Sequence, residues 1–187
     1  MIGIDDEEFI RGNVPMTKQE IRILTIAKAK IKPTDVVVDI GAGTGSISIE
    51  AAMIARQVFA IEKNPEAVDL ISQNAEKFGI DNIIIIHAEA PNGLEGIKNA
   101  DVVFIGGSSG ALKDIMQVVD NRIKTGSRIV INCITIQTLS SCLDYFKNHN
   151  GYKYEAVQIQ VNRLQQIAQY DMAKALNPIY IVTAFKC

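Results

Sequence analysis

Residues 36–46 read Val-Val-Val-Asp-Ile-Gly-Ala-Gly-Thr-Gly-Ser, and this stretch decides the fold. The apolar run at its start predicts a parallel strand that is covered on both faces. The alternating glycines predict a turn that can adopt positive φ and that opens a helix at Ser46, so a ligand can approach the backbone closely. A dinucleotide-binding turn has glycines at relative positions 1, 3 and 6. Here they stand at 1, 3 and 5, two residues after the acidic Asp39.

Strand and helix patterns alternate along the rest of the chain. Further strands are expected at 57–61, 83–87, 101–105 and 128–132, and helices at 46–55, 65–78, 111–123 and 138–148. This alternation is typical of a doubly wound, mostly parallel α/β sheet. Two final strands, 153–163 and 178–186, have no full-length helix between them, which predicts an antiparallel pair at the sheet edge. We therefore expect seven strands, with an antiparallel edge strand at the C-terminus whose apolar residues 179–185 are a candidate subunit interface.

The segment before the first strand has a pattern of its own. Residues 9–16 predict an extended lead-in, and residues 17–31 carry an apolar stripe that predicts a helix. Thr17 with Glu20 three residues later is a capping-box start. We expect this N-terminal part, residues 1–31, to lie over the ligand site.

Composition and charge limit the possible functions. Hydrophobic residues make up 48% of 187 residues, and we expect one domain spanning residues 1–187. Lys and Arg total 19 against 21 Asp and Glu, so the charge pattern of a nucleic-acid binder is missing. No apolar run approaches the ~18 to 20 residues that span a bilayer, and the three cysteines lack disulfide-framework or zinc spacing. We expect a soluble, cytoplasmic protein that binds no nucleic acid, membrane or metal.

Two acidic residues follow the next two strands. Glu62 ends the second strand, one βαβ unit after Asp39, where a carboxylate can accept hydrogen bonds from both hydroxyls of a ribose. Glu89 and Ala90 follow the third strand, where they can flank an adenine ring. Together with the glycine turn, these strand ends predict a nucleoside pocket at the carboxyl edge of the sheet.

This combination resembles the class I S-adenosylmethionine-dependent methyltransferases, whose first motif has the form acid-x-Gly-x-Gly-x-Gly. A narrower resemblance spans the whole chain. Phe-Ile-Arg-Gly at 9–12 and Pro-Met-Thr-Lys-Gln-Glu-Ile-Arg at 15–22 are similar to the opening of the precorrin and cobalt-precorrin C15-methyltransferases, and segments 104–108, 132–138 and 177–179 are similar to later parts of that family. The family typically has Gly-Asp-Ala-Pro where this chain has Ala-Glu-Ala-Pro at 88–91, and it often has Asp where this chain has Glu62. Both replacements keep an acid.

The resemblance implies a Rossmann-like methyltransferase fold and an enzyme of cobalamin biosynthesis. That enzyme methylates C15 of a tetrapyrrole, with or without cobalt, and removes the C12 acetate as carbon dioxide. The resemblance also implies a homo-oligomer, a tetramer. The cofactor would be S-adenosyl-L-methionine, bound by Thr17, Gly41, Ala42, Gly43, Thr44, Gly45, Glu62, Glu89 and Ala90. The candidate substrate contacts are Arg11, Gly106, Gly107, Ser108, Asn132, Thr135 and Arg163, with the two arginines placed to pair with substrate carboxylates. No residue is assigned a catalytic acid or base role.

Other functions remain open at this point. The chain could be a methyltransferase for tRNA, a protein or a small molecule, an NAD-dependent oxidoreductase, or a nucleotide-binding module without catalysis. The missing sixth-position glycine disfavours the oxidoreductase. For the tetrapyrrole enzyme we expect methylation and decarboxylation to share one cavity, bounded by residues 9–18, 106–110, 132–138 and Arg163.

Overall fold

The computed structural model describes residues 2–187, so Met1, the first residue of the expected domain, lies outside the described residues. The helices are α1 (Gln19–Ala29), α2 (Ser46–Ala52), α3 (Pro65–Lys77), α4 (Leu112–Asp120) and α5 (Ile136–Lys147). The strands are β1 (Val36–Ile40), β2 (Gln57–Glu62), β3 (Ile83–His87), β4 (Ala100–Ile105), β5 (Ile123–Cys133), β6 (Tyr152–Ile159), β7 (Asn162–Ile167), β8 (Tyr170–Ala175) and β9 (Ile179–Lys186). No helix within residues 2–187 is long and apolar enough to cross a membrane.

Seven of these strands form one sheet in the order β3-β2-β1-β4-β5-β9-β6. β9 is antiparallel to both of its neighbours, and the other pairings are parallel. The expected doubly wound sheet is therefore confirmed. The chain leaves β1 toward β2 and later returns to β4 on the other side of β1, so the strand order reverses between β1 and β4. In open α/β sheets, ligands bind at the carboxyl ends of strands beside such a switch point.

Alternating residues of the central strands pack into two cores, one on each face. Val37 and Val102 lie in the core with residues of α1 and α2. Val38 and Val103 lie in the other core, with residues of α4 and α5. Because β1 is buried on both faces, the glycine turn that follows it starts from a rigid support.

The C-terminal segment differs from the expectation in two ways. β9 lies between β5 and β6, so residues 179–185 are not the free edge that was expected to form a subunit interface; β6 is the edge strand. The strand expected at 153–163 ends at Ile159, and residues 162–175 form a separate hairpin of β7 and β8. The expected strand ran from β6 into β7 because the alternation of apolar and polar residues does not mark the break at residues 160–161.

The expected capping box at Thr17 is wrong. Helix α1 begins at Gln19, its N-cap is Lys18, and no side chain caps it. The carbonyl oxygen of Thr17 instead accepts a hydrogen bond of 2.7 Å from Nη1 of the buried Arg22. This tertiary contact fixes the entry to the helix, so a side-chain cap is not needed.

Candidate functional site

A cavity of about 530 Å³ lies at the carboxyl edge of the sheet, beside the switch point. The glycine turn, the ends of β2, β3 and β4, and the N-terminal lead-in form its walls. Eleven of the residues expected at the site line it: Thr17, Gly41, Ala42, Gly43, Glu62, Glu89, Ala90, Gly106, Gly107, Ser108 and Asn132. Its volume lies within the ~300 to 1,000 Å³ typical of small-molecule and cofactor sites.

The glycine turn is built so that side chains are excluded from the cavity floor. Gly41 and Gly43 have φ of +71° and +57°. A Cβ on Gly41 would lie 2.7 Å from the carbonyl oxygen of Gly107, and one on Gly43 would lie 3.0 Å from that of Pro15. Backbone from the loop after β4 and from the lead-in therefore lies against the turn from two sides. The amides of Gly41 and Ala42 donate to the carbonyl oxygen of Ile61, so what the turn offers a ligand is close approach to the glycine backbone.

Thr44 and Gly45 lie behind the turn rather than on the cavity wall. Gly45 is the N-cap of α2 with a φ of +78°, and a Cβ there would lie 3.0 Å from Ile71 of α3. Thr44 is almost completely buried, and its hydroxyl has no hydrogen-bond partner within residues 2–187. Both residues therefore support the turn from its buried side and do not face the cavity.

Glu62 is fixed by the backbone around it. Its Oε2 accepts a hydrogen bond of 2.9 Å from the amide of Gly43. Its Oε1 accepts bonds of 2.8 and 2.9 Å from the amides of Lys63 and Asn64. The carboxylate thus joins the glycine turn to the end of β2 and remains partly open to the cavity, where its remaining lone pairs can accept ligand hydroxyls.

Asp39 is a site residue that the sequence analysis noted in the motif but did not assign to the site. It is buried, lines the cavity and accepts a hydrogen bond of 2.6 Å from the hydroxyl of Ser48. Burial raises its pKa from 3.8 to about 6, assisted by the nearby charge of Glu62 and opposed by the Ser48 hydrogen bond. Since no cation pairs with it within residues 2–187, Asp39 favours a cationic ligand group. An acid inside an otherwise apolar strand was the signal available in the sequence.

The lead-in covers the cavity as a strap, which we define as residues 9–18. Val14, Pro15 and Met16 line the cavity. The Asn74 side chain holds the strap at Ile10, accepting from its amide at 2.8 Å and donating to its carbonyl at 3.1 Å. Further along, the amide of Asn13 donates to Oε1 of Glu66 at 2.8 Å. Two helices anchor this wall, since Arg22 of α1 holds Thr17 and both Asn74 and Glu66 belong to α3.

A second cavity of about 380 Å³ adjoins the first. The two share Gly106, Gly107, Ser108, Ser109, Asn132 and Ile134. Thr135, an expected substrate contact, lines only the second cavity. The exposed Ile134 and, at the end of β5, Ile131 are wall residues that were not among the expected site residues.

The two expected substrate arginines line neither cavity. Arg11 is exposed on the strap. Arg163, at the base of the hairpin, makes hydrogen bonds of 3.1 and 2.9 Å to the carboxylate of Glu20. Its guanidinium is thereby committed to α1, because a bidentate pair occupies the fork that would bind a substrate carboxylate.

The sheet order, the glycine turn and the acid at the end of β2 define a class I S-adenosylmethionine-dependent methyltransferase fold. Residues 8–186 match the family model described as a precorrin methyltransferase domain, and the chain belongs to that family. It is 39% identical over 185 residues to a probable cobalt-precorrin-6B C(15)-methyltransferase (decarboxylating) of Sulfurisphaera tokodaii, covering 96% of this chain and 95% of that protein.

Two solved structures are closely similar. The precorrin-6y C5,15-methyltransferase of Geobacter metallireducens has 40% identity and a TM-score of 0.92, with 99% of this chain and 97% of that chain covered. The precorrin 8W decarboxylase of Methanobacterium thermoautotrophicum has 31% identity and a TM-score of 0.92, with 96% and 98% covered. The expected family is therefore confirmed, and the oxidoreductase and the unrelated binding module are not supported.

Proposed function

We propose that this chain is an S-adenosylmethionine-dependent methyltransferase that methylates C15 of a cobalt-precorrin and removes the acetate at C12 as carbon dioxide. The observation that carries the proposal is the cavity floor, where two side-chain-free glycines face a backbone-anchored carboxylate at the switch point. The names of the relatives supply the acceptor class and the position of methylation. The net charge of −2 supports a small-molecule acceptor rather than a nucleic acid.

The residues of the cavity fit the proposed cofactor from end to end. Glu62 would accept the ribose hydroxyls, and Ala88, Glu89 and Ala90 would flank the adenine. The methionyl ammonium would approach Asp39 beside the glycine turn, since a buried carboxylate without a cation favours one. Bound S-adenosylmethionine supplies an electrophilic methyl group on a sulfonium.

The protein's part in the reaction is positioning. Methyl transfer requires alignment of the acceptor carbon and exclusion of water more than it requires an acid and a base. The strap and the β4 loop enclose the cavity from two sides. His87, which ends β3, does not line the cavity. Its Nε2 lies 3.0 Å from the carbonyl oxygen of Lys63.

Cofactor binding is tested by calorimetry on Glu62→Gln, which keeps the size of the side chain but removes its charge. We expect a loss of about 1.5 to 3 kcal/mol in binding free energy, the scale of hydrogen bonds to a charged group. Glu95→Gln is the control, since Glu95 lies outside both cavities. A Glu62→Gln affinity equal to that of the wild type would place the ribose elsewhere.

We further propose that the protein is a cytoplasmic homo-oligomer, a tetramer, assembled through the β7–β8 hairpin. Met172, Ile167 and Tyr170 lie on one face of it and are 51% to 64% exposed. An isolated two-stranded hairpin is marginally stable in water, so its apolar face calls for a partner, and a second copy of this chain would cover it. Cys133 and Cys142, which are buried free thiols, suit a reducing compartment.

A further inference from the structure

Among residues 2–187, none of those that line the second cavity has a charged side chain. Apart from the residues that it shares with the first cavity, it is lined by Ile105, Gly110, Ile131, Thr135, Gln137 and Thr138. All of its hydrogen-bonding groups are therefore neutral amides, hydroxyls and backbone. A site for the many carboxylates of a tetrapyrrole would be expected to contain arginine or lysine, so this cavity holds its ligand in a different way.

Asn132 is the buried polar side chain common to both cavities. It is only 8% exposed. Its Oδ1 lies 3.0 Å from the hydroxyl of Thr25, which also lies 2.7 Å from the carbonyl oxygen of Ile21 and shares its one proton between these two acceptors. Its Nδ2 makes no hydrogen bond to any group within residues 2–187. Although the residue is mostly buried, this Nδ2 is not sealed inside the protein and is accessible from the cavities. The side chain is thus held at one end and leaves a donor at the boundary between the cavities, where a ligand can supply the acceptor.

The start of α5 indicates that this ligand group is an anion. Thr135 is the N-cap, and its side chain accepts from the amide of Thr138. The first amide that bonds along the helix is that of Leu139, to the carbonyl oxygen of Thr135, so the amides of Ile136 and Gln137 have no partner within the helix. This end of a helix carries a partial positive charge and favours anions. Together with Asn132 in the same wall, it offers neutral donors to a carboxylate.

Building on the proposed function, we propose that the second cavity holds the substrate carboxylate that leaves as carbon dioxide, with Asn132 as its positioning donor. The bond between the methylene carbon and the carboxyl carbon breaks, and its electron pair enters the conjugated macrocycle. Carbon dioxide leaves, and a proton from water completes the methyl group. The shared wall keeps this carboxylate next to the cofactor cavity.

The absence of a cation in this wall has a chemical consequence. The carboxylate loses its negative charge as the bond breaks, so a guanidinium beside it would stabilise the ground state more than the transition state. Neutral donors align the breaking bond with the macrocycle while stabilising the starting anion less than an ion pair would. The uncharged wall therefore favours the transition state, in which the carboxylate has begun to lose its charge.

The first experiment compares Asn132→Leu with Thr25→Val. Both variants remove the Thr25–Asn132 contact, but only the first removes the donor. Single-turnover mass spectrometry follows methyl gain and carbon dioxide loss separately. We expect Asn132→Leu to slow decarboxylation at least about tenfold while methyl transfer changes less than about threefold, and Thr25→Val to change decarboxylation by less than about threefold. Equal losses in the two variants would make Asn132 a structural residue and overturn the proposal.

The second experiment places a cation in the exposed position 137 at the start of α5, where a substitution is tolerated. Gln137→Lys should lower the Kd of the substrate, because it adds an ion pair, and should slow carbon dioxide loss by about fivefold or more. Gln137→Met has a similar length and no charge, so the difference between the two variants isolates the effect of the charge from the loss of the Gln137 side chain. Faster decarboxylation in Gln137→Lys would contradict the role of the uncharged wall.

The two proposals fail in different ways. If the wild-type protein binds S-adenosylmethionine but neither methylates nor decarboxylates the tetrapyrrole, the proposed function fails. If the wild-type protein performs both steps and Asn132→Leu performs both at the wild-type rate, the proposed function stands and the assignment of Asn132 is wrong. Calorimetry with the cofactor on each variant confirms that the first cavity is intact.

Discussion

At the scale of single residues, Gly43 lies in the glycine turn directly against the strap. Gly43→Ala places a Cβ 3.0 Å from the carbonyl oxygen of Pro15. We expect cofactor affinity measured by calorimetry to fall at least about tenfold, because either the strap or the turn must move.

Gly79→Ala is the matched control for this change. Gly79 has a similar φ of +64°, but a Cβ there meets nothing within 4 Å. Both variants therefore carry the same backbone strain, about 1 kcal/mol in the free energy of unfolding. Only Gly43→Ala should lose cofactor affinity, and a similar loss in both variants would mean that strain, not closeness to the strap, is the cause.

Asp39 makes stability depend on pH in the opposite sense to a paired carboxylate. Its pKa is raised to about 6 in the folded protein, so folding favours the protonated acid. The contribution of Asp39 to the free energy of unfolding is full at and below its unfolded pKa of about 3.8, declines as pH rises toward about 6 and is lost above it, a change on the order of 3 kcal/mol. Asp39→Asn removes this ionisation and can still accept the Ser48 hydrogen bond.

We therefore expect Asp39→Asn to be more stable than the wild type in urea at about pH 8, with the difference disappearing toward about pH 4. Asp81→Asn, an exposed acid, is the control. The same variant should weaken cofactor binding, because the carboxylate for the ammonium is lost. A stability difference that did not change with pH would contradict the raised pKa.

At the scale of elements, the strap is expected to control how long the cofactor stays bound. Glu66→Ala removes the acceptor that holds the amide of Asn13. We predict faster hydrogen exchange in residues 10–18 and a cofactor affinity lower by about three- to tenfold. Glu76→Ala changes an exposed acid on the same helix that makes no ion pair within residues 2–187 and should leave both unchanged. If hydrogen exchange in residues 10–18 is unchanged in Glu66→Ala, the other hydrogen bonds hold the strap without Glu66 and the prediction is wrong.

The elements also show what sequence patterns can and cannot predict. The five parallel strands were found because each is an apolar run, although β3 lies at the sheet edge and is only partly buried. The β7–β8 hairpin was missed, since its exposed strands carry the same alternation as a half-buried sheet strand. The false cap at Thr17 has a similar cause, because the contact of Arg22 with the Thr17 carbonyl joins residues that no local motif relates. Local sequence patterns predict which residues are buried, but they do not predict the hydrogen bonds that form in the tertiary structure.

The same limit applies to the site. The positions of Gly41, Gly43 and Glu62 on the cavity wall could be predicted because each depends only on where its own strand ends. Asn132 was expected only through a family resemblance, and its contact with Thr25 joins positions far apart in the chain. Arg163 was expected at the substrate site because arginine suits carboxylates, but its pairing with Glu20 depends on where the hairpin folds. Charge pairing across the fold cannot be predicted from a pattern.

At the scale of the whole molecule, the hairpin is expected to determine assembly. Met172→Asp places a charge on the apolar hairpin face and should shift sedimentation toward monomer, because a buried unpaired charge is costly. Gln166→Asp places the same charge on the opposite face of the hairpin and should leave the assembly intact. Sedimentation that is identical for wild type and Met172→Asp would exclude this face from the interface.

The most direct test of the central claim is a single turnover of the wild-type protein with cobalt-precorrin-6B and S-adenosylmethionine that carries a deuterated methyl group. Mass spectrometry of the tetrapyrrole measures the label gained and the carbon dioxide lost. Our account predicts that one labelled methyl group is added at C15 and that one carboxyl group is lost, both on the same product molecule. A protein that binds the cofactor at the glycine turn but transfers no label to the tetrapyrrole would contradict it.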